Sequence, residues 1–414
     1  MPTPPPRATL LAGAALASAG ALAILGFGPL DPPNGPITPT YKTLSEVEPR
    51  IAINADNTPG DADSVYRITL PGSYYLTGSF NVPSGKSGIE IAGANITVDL
   101  NGFRLLGLSG SLDGIHVNTA LYGVTIRNGA VSSAPGDGID ALDSSVRIEG
   151  VSARGSGGQG IVVGDGSEVA RCTVVNNGSH GINTGDDSRV ADCTARDNGG
   201  VGIDVDNDSI VRDCIATGNT SDGISANDGC TIAGCTASSN TANGINTTDT
   251  CIVTNCIGRA NGGVGIDVDH ISLIRDCAAR DNTGDGIGAN NGSVVSGSTA
   301  SANQSGITAG IKATVSGCNT YLNRAHGIEF GSYSDIRGNN ASGQINGAGL
   351  YTSGQYSRVD ENQIQNNAVG ITLDGQKCLV HRNDMVFNVQ IFTGADDDYI
   401  DGTWTDFSPW WNLW

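Results

Sequence analysis

The sequence predicts an all-β, single-stranded parallel solenoid of about 21 residues per coil, with three short strands in each coil. Three observations predict it: a glycine that returns at a fixed interval, paired apolar positions after that glycine, and an asparagine at one recurrent offset. A Gly followed by Ile, once by Leu, stands at 88, 114, 138, 160, 181, 202, 223, 244, 265, 286, 306, 327, 349 and 370, and from Gly160 to Gly286 every step is 21 residues. Offsets +1 and +3, +7 and +9, and +12 and +14 from each Gly are mostly apolar or small, as in Ile203, Val205, Ser209, Val211, Cys214 and Ala216. Each pair describes a short strand with two inward side chains, because alternate residues of a strand share a face. Helical repeats would show a period of 3.6 instead.

The glycine opens each coil, where a tight turn into a strand is expected to require positive φ. At +17 stand Asn177, Asn198, Asn219, Asn240, Asn261, Asn282, Asn303 and Asn323. Stacked amides can bond from coil to coil and fix the turn. Cys172, Cys193, Cys214, Cys235, Cys256, Cys277 and Cys318 share +12, and Cys230 and Cys251 share +7. Directly stacked side chains have parallel Cβ vectors about 4.8 Å apart, whereas a disulfide needs about 3.8 Å and converging vectors. The cysteines are therefore expected to be small, buried and unlinked.

Composition agrees with stacked strands. Glycine supplies 60 of 414 residues, and the 15 prolines leave 273 consecutive residues, 136 to 408, without one. Every ladder N–H is thus available there. The formal charge is -20, from 22 Lys and Arg against 42 Asp and Glu, so nucleic acid and anionic membrane surfaces are excluded as partners held by long-range charge. Residues 181–240 and 244–303 align without gaps at 35 of 60 positions, which marks a duplicated unit of three coils and favours a binding or structural rod.

Four segments follow. Residues 1–39 hold an uncharged apolar run, Leu10 to Leu30, and a Pro-rich linker, read as a signal peptide or an uncleaved membrane anchor. Residues 40–87 form an N-terminal cap, 88–385 the solenoid, and 386–414 a C-terminal cap. Trp404, Trp410, Trp411 and Trp414 fall in that last segment, as a hydrophobic lid in preference to a sugar-stacking surface.

The Gly-Ile, strand-pair and turn-Asn motif, over about residues 65 to 385, resembles the right-handed parallel β-helix repeat proteins of the pectate-lyase-like fold. That resemblance implies right-handed coils, an exported protein and either glycan chemistry or surface binding. Hydrolases of the family would carry Asn-x-Asp, Asp-Asp, His-Gly and Arg-x-Lys in that order; here His180-Gly181 precedes Asp186-Asp187, and no Arg-x-Lys occurs. No catalytic residue is assignable from this pattern, and no Ser-His-Asp spacing stands out. Lys312, Arg324, His326, Glu329, Tyr333 and Arg337 form a polar set in less regular coils that could line a groove.

Calcium is the one cofactor that the acids admit. Asp204 and Asp206 have copies in Asp267 and Asp269, and Gly-Gly-Val-Gly-Ile-Asp, ending at Asp204 and at Asp267, matches the first six positions of a calcium-binding nonapeptide. Asp206 and Asp269 then stand where that motif needs a large apolar residue, which leaves solvated acidic turns or a low-affinity calcium site. The sequence thus points to a secreted or cell-envelope module that binds a polysaccharide or another surface component. A lyase or hydrolase acting on acidic polysaccharide is the alternative.

Overall fold

The computed structural model describes residues 48–401 except 376 and 395–397. Residues 1–39 and all four tryptophans lie outside the described residues. The described strands fall in the unit that begins at Arg50. No helix occurs among the described residues.

Three faces run along the stack. The strand after each Gly-Ile builds the first face, a 16-stranded parallel sheet that starts at Ser64–Ile68 and ends at Gln390–Gly394. At about 4.8 Å per strand it spans roughly 70 Å. The second and third faces join into one 30-stranded assembly, because Val124–Ser132 and Val146–Arg154 run continuously from one to the other. In later coils the same two strands are separate and three residues long, as in Ile210–Arg212 and Ile215–Thr217.

Burial follows the predicted register. Ile203, Ile224 and Ile245 are directly stacked and wholly buried, and Val211, Cys214 and Ala216 close the same coil from its other faces. Each buried Ile contributes about 1.5–3 kcal/mol relative to exposure. At +17 every amide is saturated. Asn198 Oδ1 accepts from both Asn177 N–H (3.1 Å) and Asn177 Nδ2 (2.9 Å), while Asn198 Nδ2 donates to Asn219 Oδ1 (3.0 Å) and to Val174 O (3.4 Å). The series continues through Asn323 to Gln344.

The position-zero glycine is present for a different reason from the one expected. Gly160, Gly181, Gly202 and Gly223 do not have positive φ. A Cβ on Gly202 would instead lie 2.5 Å from Asn219 Nδ2 and 2.6 Å from Gly223 O, so the glycine admits the turn amide of its own coil and the backbone of the next. Left-handed backbone falls at the corners, at offsets +6, +11 and +16: Asp187, Asp192 and Asp197 in one coil, and Asp208, Asp213 and Gly218 in the next. Asp tolerates this region better than most residues. Part of the acidic surplus therefore shapes corners rather than serving a partner.

The ten cysteines are all buried and free. They do more than fill space, since Cys193 Sγ accepts the Cys172 N–H at 3.4 Å. Ser298 Oγ and Asn339 Oδ1 take that role for Cys277 and Cys318 in later coils. Burial pushes the Cys318 thiol up to about 11, which keeps it neutral and unreactive near pH 7.

Candidate functional site

Outward side chains of the first face form a column at offset +2. At its N-terminal end, Arg67, Glu90, His116 and Asp140 occupy four adjacent strands in direct register. Arg67 Nε lies 3.1 Å from Glu90 Oε1 and 3.3 Å from Asp61 Oδ2. His116 Nδ1 lies 2.9 Å from Asp140 Oδ2 and 3.8 Å from Asp113 Oδ2. The column loses its charge at Val162, the register partner of Asp140, which is buried.

Asp113 and Asp137 each precede the glycine of their coil and are tied to the backbone of the coil that follows. Asp113 Oδ1 accepts the Asp137 N–H at 2.7 Å, and Asp137 Oδ1 accepts the Gln159 N–H. Asp140 Oδ1 accepts the Leu142 N–H at 3.3 Å. Asp113 and His116 border a pocket of about 390 Å³ that is also lined by Asp61, Arg67, Glu90 and Asn118 among others. Burial pushes the Asp113 and Asp137 carboxyls up. The hydrogen bond between His116 and Asp140 raises the imidazole and lowers the carboxyl. One short stretch of sheet thus holds carboxyls displaced in opposite directions beside an imidazole that favours its proton, a pattern common at functional sites.

Asp204 and Asp267 project half-buried from the same face, farther along. Asp206 accepts Asn227 Nδ2 at 2.8 Å, and Asp269 accepts Asn290 Nδ2 at 2.5 Å. Burial, and then the charges of Asp204, Asp186 and Asp165, push Asp206 up. Burial followed by Asp269, Asp285 and Asp222 pushes Asp267 up to about 6. The two pairs remain three coils apart, about 14 Å.

The polar set from 312 to 337 does not converge. His326 and Glu329 belong to the first face, where His326 stacks on Tyr351 with centroids 4.3 Å apart and accepts the Ala348 N–H at Nδ1. Burial lowers His326 and raises Glu329. Lys312 and Tyr333 sit at left-handed corners, and Tyr333 stacks on Tyr356. Arg337 lies on the second face, 3.4 Å from Asp335. His180 is structural, since its Nδ1 accepts the Val201 N–H at 3.0 Å.

Sequence reasoning missed Arg67, Glu90, Asp113, His116, Asp137 and Asp140. Their signal is Asp113-Gly-Ile-His116 followed by Asp137-Gly-Ile-Asp140, which places chemistry-bearing residues at the same two offsets in successive coils.

Coils, register and inward ladders together define a single-chain parallel β-solenoid. Residues 113–267 and 185–313 match the model of the right-handed β-helix region family, and the chain is a right-handed parallel β-helix repeat protein. No curated protein matches its sequence. Among solved structures, the A-module of a mannuronan C-5 epimerase from Azotobacter vinelandii is similar at 17% identity, covering 80% of this chain and 91% of that one, with a TM-score of 0.48. The periplasmic alginate epimerase AlgG is similar at 12% identity, with coverages of 83% and 81% and a TM-score of 0.32. The Dettilon tailspike protein shows 14% identity, coverages of 66% and 60%, and a TM-score of 0.33.

Proposed function

We propose that this protein is an exported β-helix that binds a glycan in the pocket at the N-terminal end of its first face. The observation that carries the reading is the register column Arg67, Glu90, His116 and Asp140, whose first three members line a pocket of about 390 Å³. That volume lies within the range of small-molecule sites. Carboxylates accept hydroxyl protons, Arg67 and Asn118 donate, and strand backbone on both sides holds these groups at fixed spacing. A polyhydroxylated ligand suits such an array, because each unpaired polar group in the pocket would otherwise lose its solvent partner. Acids outnumber cations there, which favours a neutral glycan, or an acidic one bridged by a cation. Export rests on the apolar run from Leu10 to Leu30.

Titration calorimetry against neutral and uronate oligosaccharides tests the reading. Binding of at least one class, weakened about ten-fold or more by Arg67→Ala or Glu90→Gln, is the expected result. Absence of binding across the panel, with the protein folded by circular dichroism, would overturn it. A second reading, as a polysaccharide lyase or hydrolase, draws support from Asp113 and Asp140, whose nearest carboxylate oxygens lie within 4.8 Å of each other. New reducing ends or unsaturated products from the same panel would select it.

Asp204 with Asp206, and Asp267 with Asp269, form two separate, low-affinity calcium sites in this proposal. Calcium heats measured at physiological salt should vanish when all four become Asn. Equal heats from both proteins would assign the effect to the ion atmosphere of a chain with charge -20.

A further inference from the structure

The pocket's His116 faces two carboxylates whose outer oxygens are already turned toward it. His116 and Asp140 are direct register partners on adjacent strands, Ile115–Val117 and Ile139–Ala141, so their separation is set by the sheet. Asp113 arrives from the turn that leads into the first of these strands. Its Oδ1 is occupied by the Asp137 N–H, as the Oδ1 of Asp140 is by the Leu142 N–H. Backbone donors thereby fix the plane of each carboxylate and direct both Oδ2 atoms to His116 Nδ1, at 3.8 and 2.9 Å. Outer-shell bonds of this kind are what orient metal ligands in proteins.

Spacing and chemistry agree. All three donor atoms lie within 4.8 Å of one another. Neighbouring ligands of an ion held at about 2.0–2.2 Å are separated by roughly 3.0–3.5 Å, so small side-chain rotations close the set. Each residue is partly exposed, and Asp113 and His116 line the pocket, which leaves room for water to complete a coordination shell. Glu90, the other neighbour of His116 in the column, is held by Arg67 and lies outside the set. One imidazole nitrogen with two carboxylates suits zinc, manganese, iron or cobalt, whereas calcium and magnesium prefer oxygen alone.

We propose that Asp113, His116 and Asp140 form a mononuclear site for a divalent transition metal. The site differs in residues, place and ion from the acidic pairs at 204 and 267, and it stands whether or not a glycan occupies the pocket.

Cobalt(II) added to the metal-stripped full-length protein is the direct probe, followed by visible absorption and calorimetry, with zinc as competitor. The expected result is one saturable site whose d–d bands lack the near-ultraviolet thiolate band, which separates it from the buried cysteines. His116→Ala and the double variant Asp113→Asn with Asp140→Asn should each weaken binding about ten-fold or more. Arg67→Ala should leave metal affinity unchanged while weakening any glycan, so the two readings can fail separately. Because side-chain removal could disturb the fold, unchanged circular dichroism accompanies each variant, and His116→Gln provides a bulk-conserving alternative. Cobalt uptake that does not saturate, that shows thiolate bands, or that survives both sets of substitutions would overturn the site.

Discussion

The coils before Gly160 and those after it obey one rule inside and different rules outside. Inside, Ile115 and Ile139 stack as Ile203 and Ile224 do, all wholly buried. Outside, the early coils, which run from glycines 88, 114 and 138 in steps of 26, 24 and 22 residues, put Glu90 and His116 into the wall of a pocket, with Asp140 paired to His116. The coils from Gly160 to Gly286 repeat every 21 residues and put their polar side chains into ladders that satisfy one another. Regular spacing converts polar groups into structure, because each finds its copy one coil away. Where the spacing changes, polar groups lose their copies and face solvent or a ligand.

The largest test of this contrast is Asn240→Ala in the regular coils. It removes the acceptor of Asn219 N–H and Nδ2 and the donor to Ala216 O and Asn261 Oδ1. With each orphaned buried group costing about 1–3 kcal/mol, a loss of roughly 3–5 kcal/mol is expected in denaturant melts. Glu90→Gln in the early coils keeps the side chain's bulk and a carbonyl that can still accept from Arg67, so its cost should be smaller, about 1–2 kcal/mol. Similar losses at both places would break the comparison.

Next comes Asp267→Asn. A carboxyl whose folded value is raised to about 6 holds its proton more tightly in the fold than in the unfolded chain. Its contribution favours the fold below roughly pH 4 and is withdrawn as pH rises to about 6 and beyond. The Asn variant should therefore be more stable than wild type at pH 7, by about 1–2 kcal/mol, and equal to it near pH 4. A gain that persists unchanged at pH 4 would exclude titration as the cause.

A smaller gain is expected at Ile271, a β-branched residue at φ 58 with 70% of its surface exposed. Left-handed backbone costs such a residue about 1–2 kcal/mol, so Ile271→Asn should raise stability by about 1 kcal/mol. A melt showing a loss would reveal that Ile271 is held for its surface rather than tolerated.

Deleting residues 244–305 should have the least effect on foldability, since Asn243 would run into Gly306 as it now runs into Gly244. The shorter chain should keep its β-sheet circular dichroism per residue. Aggregation of that chain alone would show that the duplicated coils are not interchangeable.

The fold was legible because repetition registers the same evidence many times: Ile203, Ile224 and Ile245 each vote for one inward ladder. The reason for Gly202 was not legible. It depends on Asn219, seventeen residues on in the same coil, and on Gly223 O of the next, which only the folded chain brings against the glycine. Nor does the sequence alone reveal that Asp208 and Asp213 stand at left-handed corners. His116 and Asp140 are 24 residues apart, so a frame of 21 does not superpose them, although counting from each glycine does.

Unlinked cysteines give the rod a mechanical character. No disulfide joins one coil to another among the described residues, so between coils only hydrogen bonds and packing resist a pull along the axis. Those bonds lie nearly parallel to such a force and are loaded one coil at a time, as in a zipper. Each rupture frees about 21 residues, on the order of 70 Å of slack chain. A tethered rod would therefore yield in steps at modest force and recoil by restacking, behaving as a shock absorber where a cross-linked solenoid would behave as a strut.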